Sequence, residues 1–275
     1  MYRLLVTFTS TLLVLTIFES VGASPYSRDI EKNYKTEPDY ETGVKVAQWT
    51  KEMNTRPEEL GNYFQGDIMI ANNTKRNGRI DEHLRWPGGI IPYLITANNF
   101  TANQINIIIK AINEYHIKTC IRFKPRTNEK DYIDIKSGNT GCWSYVGRQG
   151  GRQEVNLQNP GCVYGTHTPI HEFMHAIGFE HEQTRDDRDN YVNIIWNNIP
   201  KNYQYAFAMN PKGTTFAYGE PYDYYSVIHY SLYAFAIDTK KKTIVLKKQA
   251  DEKNIGNRNN LSNSDIKKIQ RMYKC

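Results

Sequence analysis

The stretch His171-Glu172-Phe173-Met174-His175-Ala176-Ile177-Gly178-Phe179-Glu180-His181 decides how the rest of the chain is read. On a helix of about 3.6 residues per turn, His171 and His175 project from one face, so both imidazoles can reach a single ion, with Glu172 beside them. Gly178 lets the chain leave the helix in a left-handed conformation, and His181 can then swing back as a third ligand. Three neutral nitrogens leave one position of a tetrahedral zinc ion open to water, the arrangement of a catalytic rather than a structural site. The expected cofactor is therefore one catalytic Zn2+ per chain.

Outward from this stretch, Thr168 suits the N-cap of the helix and Pro169 its first position, which predicts a helix over about 169 to 177. The charged run Glu182 to Asp189 reads as a solvated loop. Thr101 and Gln104 form a capping box ahead of Ile105, Ile108, Ile109 and Ile112, so an amphipathic helix is expected from 102 to about 118. Strands are expected at Ile90–Ile95, Cys120–Phe123, Tyr132–Ile135 and Glu154–Leu157, and an exposed edge among them could pair with an extended peptide. Ser262 and Asp265 cap a final helix that ends at Cys275. Lys240-Lys241-Lys242 reads as a hairpin turn.

The flanking sequence points to the secretory route. Arg3 precedes a largely apolar run from Leu4 to Phe18, and Val21-Gly22-Ala23 offers small residues for signal peptidase, so residues 1–23 read as a signal peptide. No stable membrane anchor and no appended module after Cys275 are expected. An oxidising compartment would pair Cys120, Cys142, Cys162 and Cys275, although spacing alone leaves three connectivities open. Asn72, Asn99 and Asn260 are candidate glycosylation sites. The formal net charge of +6 could draw the chain to acidic substrates or anionic surfaces, but a charge spread for solubility explains it as well. Nothing in the sequence suggests nucleic acid as a partner.

Residues 24–76 are polar, carry no cysteine and show only weak periodicity, which makes them a poor independent core and a good pro-segment. Within them, Asp67 follows the glycine of Phe64-Gln65-Gly66-Asp67. A carboxylate on such a turn could reach an open zinc position and displace its water. The basic run ending at Arg76 offers a processing site, with Asn77 as the new N-terminus.

Read together, His171 through Asp189 resembles the signature of the astacin family of zinc metalloproteases, within the metzincin group. Phe64–Asp67 is similar to that family's aspartate switch, Trp86–Tyr93 to its mature N-terminal region, Ser226–Tyr230 to its Met-turn, and Asn254–Cys275 to its closing segment. The resemblance implies an α+β, metzincin-type catalytic domain of two subdomains over residues 77–275. It would have a twisted, mostly parallel sheet with an antiparallel edge strand and long helices in the N-terminal half, then an irregular C-terminal half with a terminal helix.

The resemblance further implies His171, His175 and His181 as zinc ligands, Glu172 as general base, Tyr230 as the phenol that reaches the metal or the oxyanion, and Asp67 as the zymogen switch. It implies the disulfides Cys120–Cys275 and Cys142–Cys162. It would bury the amino group of Asn77 near Glu182, and place Arg258 at a substrate pocket that favours acidic residues. One departure stands out: Ile228 occupies the methionine position of the Met-turn, a stiffer residue that keeps the apolar bulk and removes no ligand. The function expected is a secreted zinc metalloendopeptidase, a monomer made as a zymogen and acting on proteins or peptides. The alternative is a secreted protein that retains zinc and binds without turnover.

Overall fold

The structure is a computed structural model that describes residues 34–71, 82–213 and 217–275. The expected signal peptide, the processing site at Arg76 and Asn77, and the sequon at Asn72 lie outside the described residues.

In chain order the elements are α1 (Tyr40–Ala47), β1 (Ile68–Met69), β2 (Ile90–Ile95), α2 (Ala102–Lys118), β3 (Arg122–Pro125), β4 (Tyr132–Lys136), β5 (Cys142–Tyr145), β6 (Arg152–Leu157), α3 (His167–Ala176), β7 (Val192–Ile194), β8 (Ile244–Leu246) and α4 (Asn263–Tyr273), joined by several short 3-10 turns. Six strands form one sheet in the order β1-β5-β6-β4-β2-β3. Every pairing in it is parallel except β5 with β6. The antiparallel strand β5 would be the sheet's edge were it not for β1, which runs parallel to it through Ile68 opposite Ser144 and Met69 opposite Tyr145. The expected mixed sheet, the helix-rich first half and the terminal helix are all present.

Helix α2 begins at the capping box of Thr101 and Gln104 and buries Ile108, Ala111, Ile112 and Tyr115. That face meets α3 and the sheet: the Tyr115 hydroxyl donates to the Ile170 carbonyl at 2.6 Å, and the Phe123 and Phe173 rings lie 5.0 Å apart. Helix α3 is buried along its whole length, as expected of an element covered on every side by sheet, α2 and the C-terminal half. Its ends differ from expectation. It starts at His167, with Thr166 rather than Thr168 at the N-cap and no side-chain cap bond. The Thr168 hydroxyl is inside the first turn and donates to Glu58 instead. At the other end Gly178 has φ 117°, which a side chain would make costly.

The C-terminal half contains one small antiparallel pair, β7 with β8, and an aromatic-rich core built from residues such as Tyr205, Phe207, Tyr230 and Leu232. Lys240–Lys242 lies in a turn as expected, but the strand after it pairs with β7, well upstream, and not with a local neighbour. Ser262 and Asp265 form the expected capping box of α4. The Asp265 carboxylate also accepts from Ser226 Oγ (2.7 Å) and Val227 N (2.9 Å). This ties the turn beneath the histidines to the terminal helix. The disulfides are Cys120–Cys275 and Cys142–Cys162, the two pairs the resemblance implies.

The polar segment before β1 is folded onto the rest of the chain. Helix α1 is not legible in the sequence because its buried face is Thr42, Gly43 and Val46, too small and too polar to give an apolar stripe. Gly43 permits the docking: a Cβ there would lie 1.9 Å from the Asn139 carbonyl oxygen. Gln158 Nε2 donates to the Gly43 carbonyl (2.8 Å), Tyr63 Oη to the Thr140 carbonyl (2.8 Å), and Arg56 Nε to the Gly256 carbonyl (2.6 Å).

Candidate metal centre

Helix α3 carries His171 and His175 four residues apart on one face, and the chain that leaves it at Gly178 returns His181 to the same point. The Nε2 atoms of His175 and His181 lie 3.1 and 3.3 Å from that of His171. A tetrahedral zinc with bonds of about 2.0–2.1 Å requires ligand atoms about 3.3 Å apart, so the spacing fits that ion. The far side of each ring is fixed by an oxygen: His171 Nδ1 by the Val227 carbonyl (2.9 Å), His175 Nδ1 by the Phe179 carbonyl (2.7 Å), His181 Nδ1 by Gln65 Oε1 (3.0 Å). Acceptors at Nδ1 place the ring proton there and leave the Nε2 lone pairs pointing at one another, a set that a cation satisfies.

A fourth donor faces them. Asp67 Oδ2 lies 2.9 Å from His171 Nε2 and 3.3 Å from His181 Nε2, and Oδ1 lies 3.6 Å from His175 Nε2. The four donor atoms are mutually within 4.8 Å. Burial alone would raise the Asp67 pKa, whereas positive charge on the His181 and His175 rings and a proton shared with His171 lower it well below the usual carboxylate range; a cation held by the Nε2 lone pairs would act in the same sense. The turn that aims it is tight, with Gln65 at φ 48° and Gly66 at φ 89°.

Glu172 is fully buried beside this cluster, and neither of its carboxylate oxygens has a hydrogen-bond partner among the described residues. Burial first, then the nearby charges of Asp67 and Glu58, push its pKa well above the ordinary value. A buried carboxyl without partners is costly and calls for a functional reason. Tyr230 packs its ring 4.6 Å from that of His181 and donates its hydroxyl to the Gln65 carbonyl at 2.5 Å. Burial raises its pKa well above 10. Ile228 is buried in the core, and its carbonyl accepts from Glu182 N at 3.1 Å, so the Met-turn position keeps an apolar filling.

Glu182 is also buried, but its partners are already in place. Lys268 Nζ lies 2.6 Å from one oxygen, while Arg185 Nη1 and Asp223 N each lie 2.9 Å from the other. The pKa of Glu182, which burial alone would raise, is lowered by Lys268 and Arg185. Arg258 is half-buried, with Nη2 3.3 Å from Asn260 Oδ1. Asn99 and Asn260 are exposed.

Sequence reasoning missed Gln65, Glu58, Glu59 and His167. Glu58 bonds to His167 Nε2 and Thr168 Oγ1, both at 2.9 Å. Glu59 accepts from Ser231 N, from Ser231 Oγ at 2.7 Å and from Arg56 N at 2.9 Å. A signal for His167 was available, because it precedes His171 by one helical turn. The two glutamates gave none, since apart from the local Arg56 N their partners lie more than a hundred residues away.

Comparison with known proteins agrees with this geometry. Residues 78–274 match the family model described as Astacin, a peptidase family. The chain is 38% identical over 227 residues to zinc metalloproteinase nas-4 of Caenorhabditis elegans, covering 78% of this chain and 70% of that protein. It is 40% identical over 220 residues to meprin A subunit beta of Homo sapiens, covering 79% of this chain but 30% of that longer protein. Among solved structures it is similar to high choriolytic enzyme 1, a hatching enzyme zinc-protease from Oryzias latipes, with a TM-score of 0.63 and 39% identity over 70% of this chain and 93% of that one. With a family model spanning the region that holds the three histidines, and relatives of this similarity, the chain belongs to the astacin family of peptidases, whose members are zinc metalloendopeptidases.

Proposed function

We propose that this chain is a secreted endopeptidase made as a zymogen, with residues 1–23 as signal peptide, 24–76 as propeptide and 77–275 as the catalytic domain. The observation that carries the zymogen reading is the Asp67 carboxylate, which a pro-segment folded over the cleft holds against all three imidazoles. Cleavage after Arg76 and departure of the segment would free that position for water. Secretion is supported by the N-terminal sequence and the two disulfides, and no helix among the described residues is long and apolar enough to cross a membrane.

His171, His175 and His181 would hold the zinc ion. When bound, zinc lowers the pKa of a water to about 7 and polarises a carbonyl group. Glu172 then accepts the proton of the attacking water and returns it to the leaving amine. Loss of Asp67 and Glu58 removes two of the causes that raise the pKa of this carboxyl. Tyr230, once the Gln65 carbonyl has left, keeps only the long 3.4 Å contact to the Ala206 carbonyl and can donate its hydroxyl to the oxyanion of the tetrahedral intermediate. Internal peptide bonds of proteins or peptides are the substrates, and the enzyme acts as a monomer.

Processed, zinc-loaded protein should cleave casein, and phenanthroline should stop it. Glu172→Ala should lower the rate by at least about 100-fold while zinc stoichiometry stays at one. Full activity in that variant would sink the mechanism, and a zinc-loaded wild type silent on every peptide would sink the peptidase reading.

A further inference from the structure

Two of the three imidazoles are oriented by backbone groups of the catalytic domain. His171 and His175 stand on the buried helix α3, and their Nδ1 atoms face the carbonyls of Val227 and Phe179. His181 lies beyond Gly178, outside that helix. Among the described residues its Nδ1 faces one oxygen, Oε1 of Gln65, at 3.0 Å, and Gln65 belongs to the segment proposed as the propeptide.

Gln65 is 1% exposed, and its neighbours decide which way its amide points. Thr184 Oγ1 donates to the His181 carbonyl (2.8 Å), so it accepts from Asn210 Nδ2 (2.9 Å). That turns Asn210 Oδ1 towards Gln65 Nε2 (3.4 Å) and Gln65 Oε1 towards the imidazole. The hydrogen bonds therefore run from the ring of His181 through Gln65, Asn210 and Thr184 back to the carbonyl of His181, and every donor meets an acceptor. Asn210 and Thr184 are themselves buried.

An oxygen at Nδ1 keeps the proton there, fixes the ring plane and raises the basicity of Nε2, and loss of such a partner lowers metal affinity by about 10–100-fold. For His171 and His175 that oxygen stays with the catalytic domain. For His181 it departs with the pro-segment. We propose that Gln65 is a positioning residue for the third ligand: its amide helps the unprocessed chain to hold zinc, independently of the Asp67 carboxylate, and processing loosens His181 by taking that amide away. The consequence for processing rests on the propeptide reading above, whereas the contact itself is testable in the uncut chain.

The test follows zinc release from the unprocessed, zinc-loaded chain into an excess of a chromogenic chelator. Gln65→Met, similar in length and unable to hold the Nδ1 proton, should release zinc about 10–100-fold faster than the parent. Gln65→Glu keeps an oxygen opposite Nδ1 and should release it at least about tenfold more slowly than Gln65→Met. A role confined to packing gives the reverse order, because a buried carboxylate costs more than a thioether. Equal rates in the parent and Gln65→Met, or faster release from Gln65→Glu than from Gln65→Met, overturns the proposal.

If limited proteolysis shows that a Gln65 variant has undocked the segment, Asn210→Ala carries the comparison. The link from Asn210 to the imidazole runs through Gln65, so this variant should speed zinc release at least about threefold more in the unprocessed chain than in the processed enzyme. Equal acceleration in both states overturns the proposal. Faster release from Gln65→Met, in a protein that cleaves peptides equally well before and after processing, would support the contact and remove the propeptide reading.

Discussion

The hydroxyl of Tyr230 donates to the main-chain carbonyl of Gln65, two residues before the carboxylate that faces the three imidazoles. One short turn, in the segment proposed as the propeptide, therefore faces the three imidazoles and also holds the phenol beside them. In the processed enzyme, Tyr230→Phe should lower kcat by about 10²–10³ with little change in KM, because the lost bond is made only to the developing oxyanion. Steady-state kinetics on one peptide reads this directly. A fall in affinity with unchanged kcat would assign the hydroxyl to substrate binding.

Asp67→Ala removes the carboxylate and leaves the other pro-segment contacts in place. The unprocessed variant should cleave a small peptide at a measurable fraction of the processed rate, while the unprocessed parent stays silent. Equal silence in both would mean that the remaining contacts, not Asp67, close the site.

The grip of the pro-segment should depend on pH through Glu59. Burial raises its pKa from 4.5 to about 7, against the opposing hydrogen bonds from Arg56 and Ser231. The docked state thus holds the proton more tightly than the released segment, so Glu59 favours docking below its free pKa. That contribution is lost as pH rises from about 4.5 through about 7, a change of at most about 3 kcal/mol. Glu58, lowered to about 2, works in the opposite sense, and its contribution disappears only as pH falls towards that value. Retention of the segment after the cut at Arg76, followed by gel filtration, should be tighter at pH 5 than at pH 7.5. Glu59→Gln should flatten the difference, and a profile unaltered in that variant would remove Glu59 as its origin.

Glu182 already has Lys268 and Arg185 as cationic partners, so a new N-terminal amine would join a neutralised carboxylate. Lys268→Met should destabilise the fold by about 3–5 kcal/mol, the usual cost of breaking a buried pair on one side, measured by denaturant unfolding. Enzymes whose chains start one residue to either side of Asn77 should differ in kcat/KM by less than about tenfold. A drop of a hundredfold or more would show that the terminal amine has a role Lys268 does not cover.

The metal cluster is legible in the sequence because it is local: two ligands share a helical turn and the third follows one glycine. Capping chemistry marks α2 and α4 for the same reason. The docking of the pro-segment is not legible, since it depends on Gly43 meeting Asn139 and on glutamates meeting residues a hundred or more positions away. A local rule starts α3 two residues late because Thr168 looks like a cap, whereas its hydroxyl is held by Glu58.

The pairing of β1 with β5 has a consequence for handling the protein. While Ile68 and Met69 lie against Ser144 and Tyr145, β5 has a neighbour on each side. If the segment that carries β1 is released, as proposed above, an inner strand becomes a bare edge whose backbone groups can be met by any extended chain, including a second copy of the enzyme. Concentrated stocks should therefore last longest in the uncut form, with processing left until the day of use.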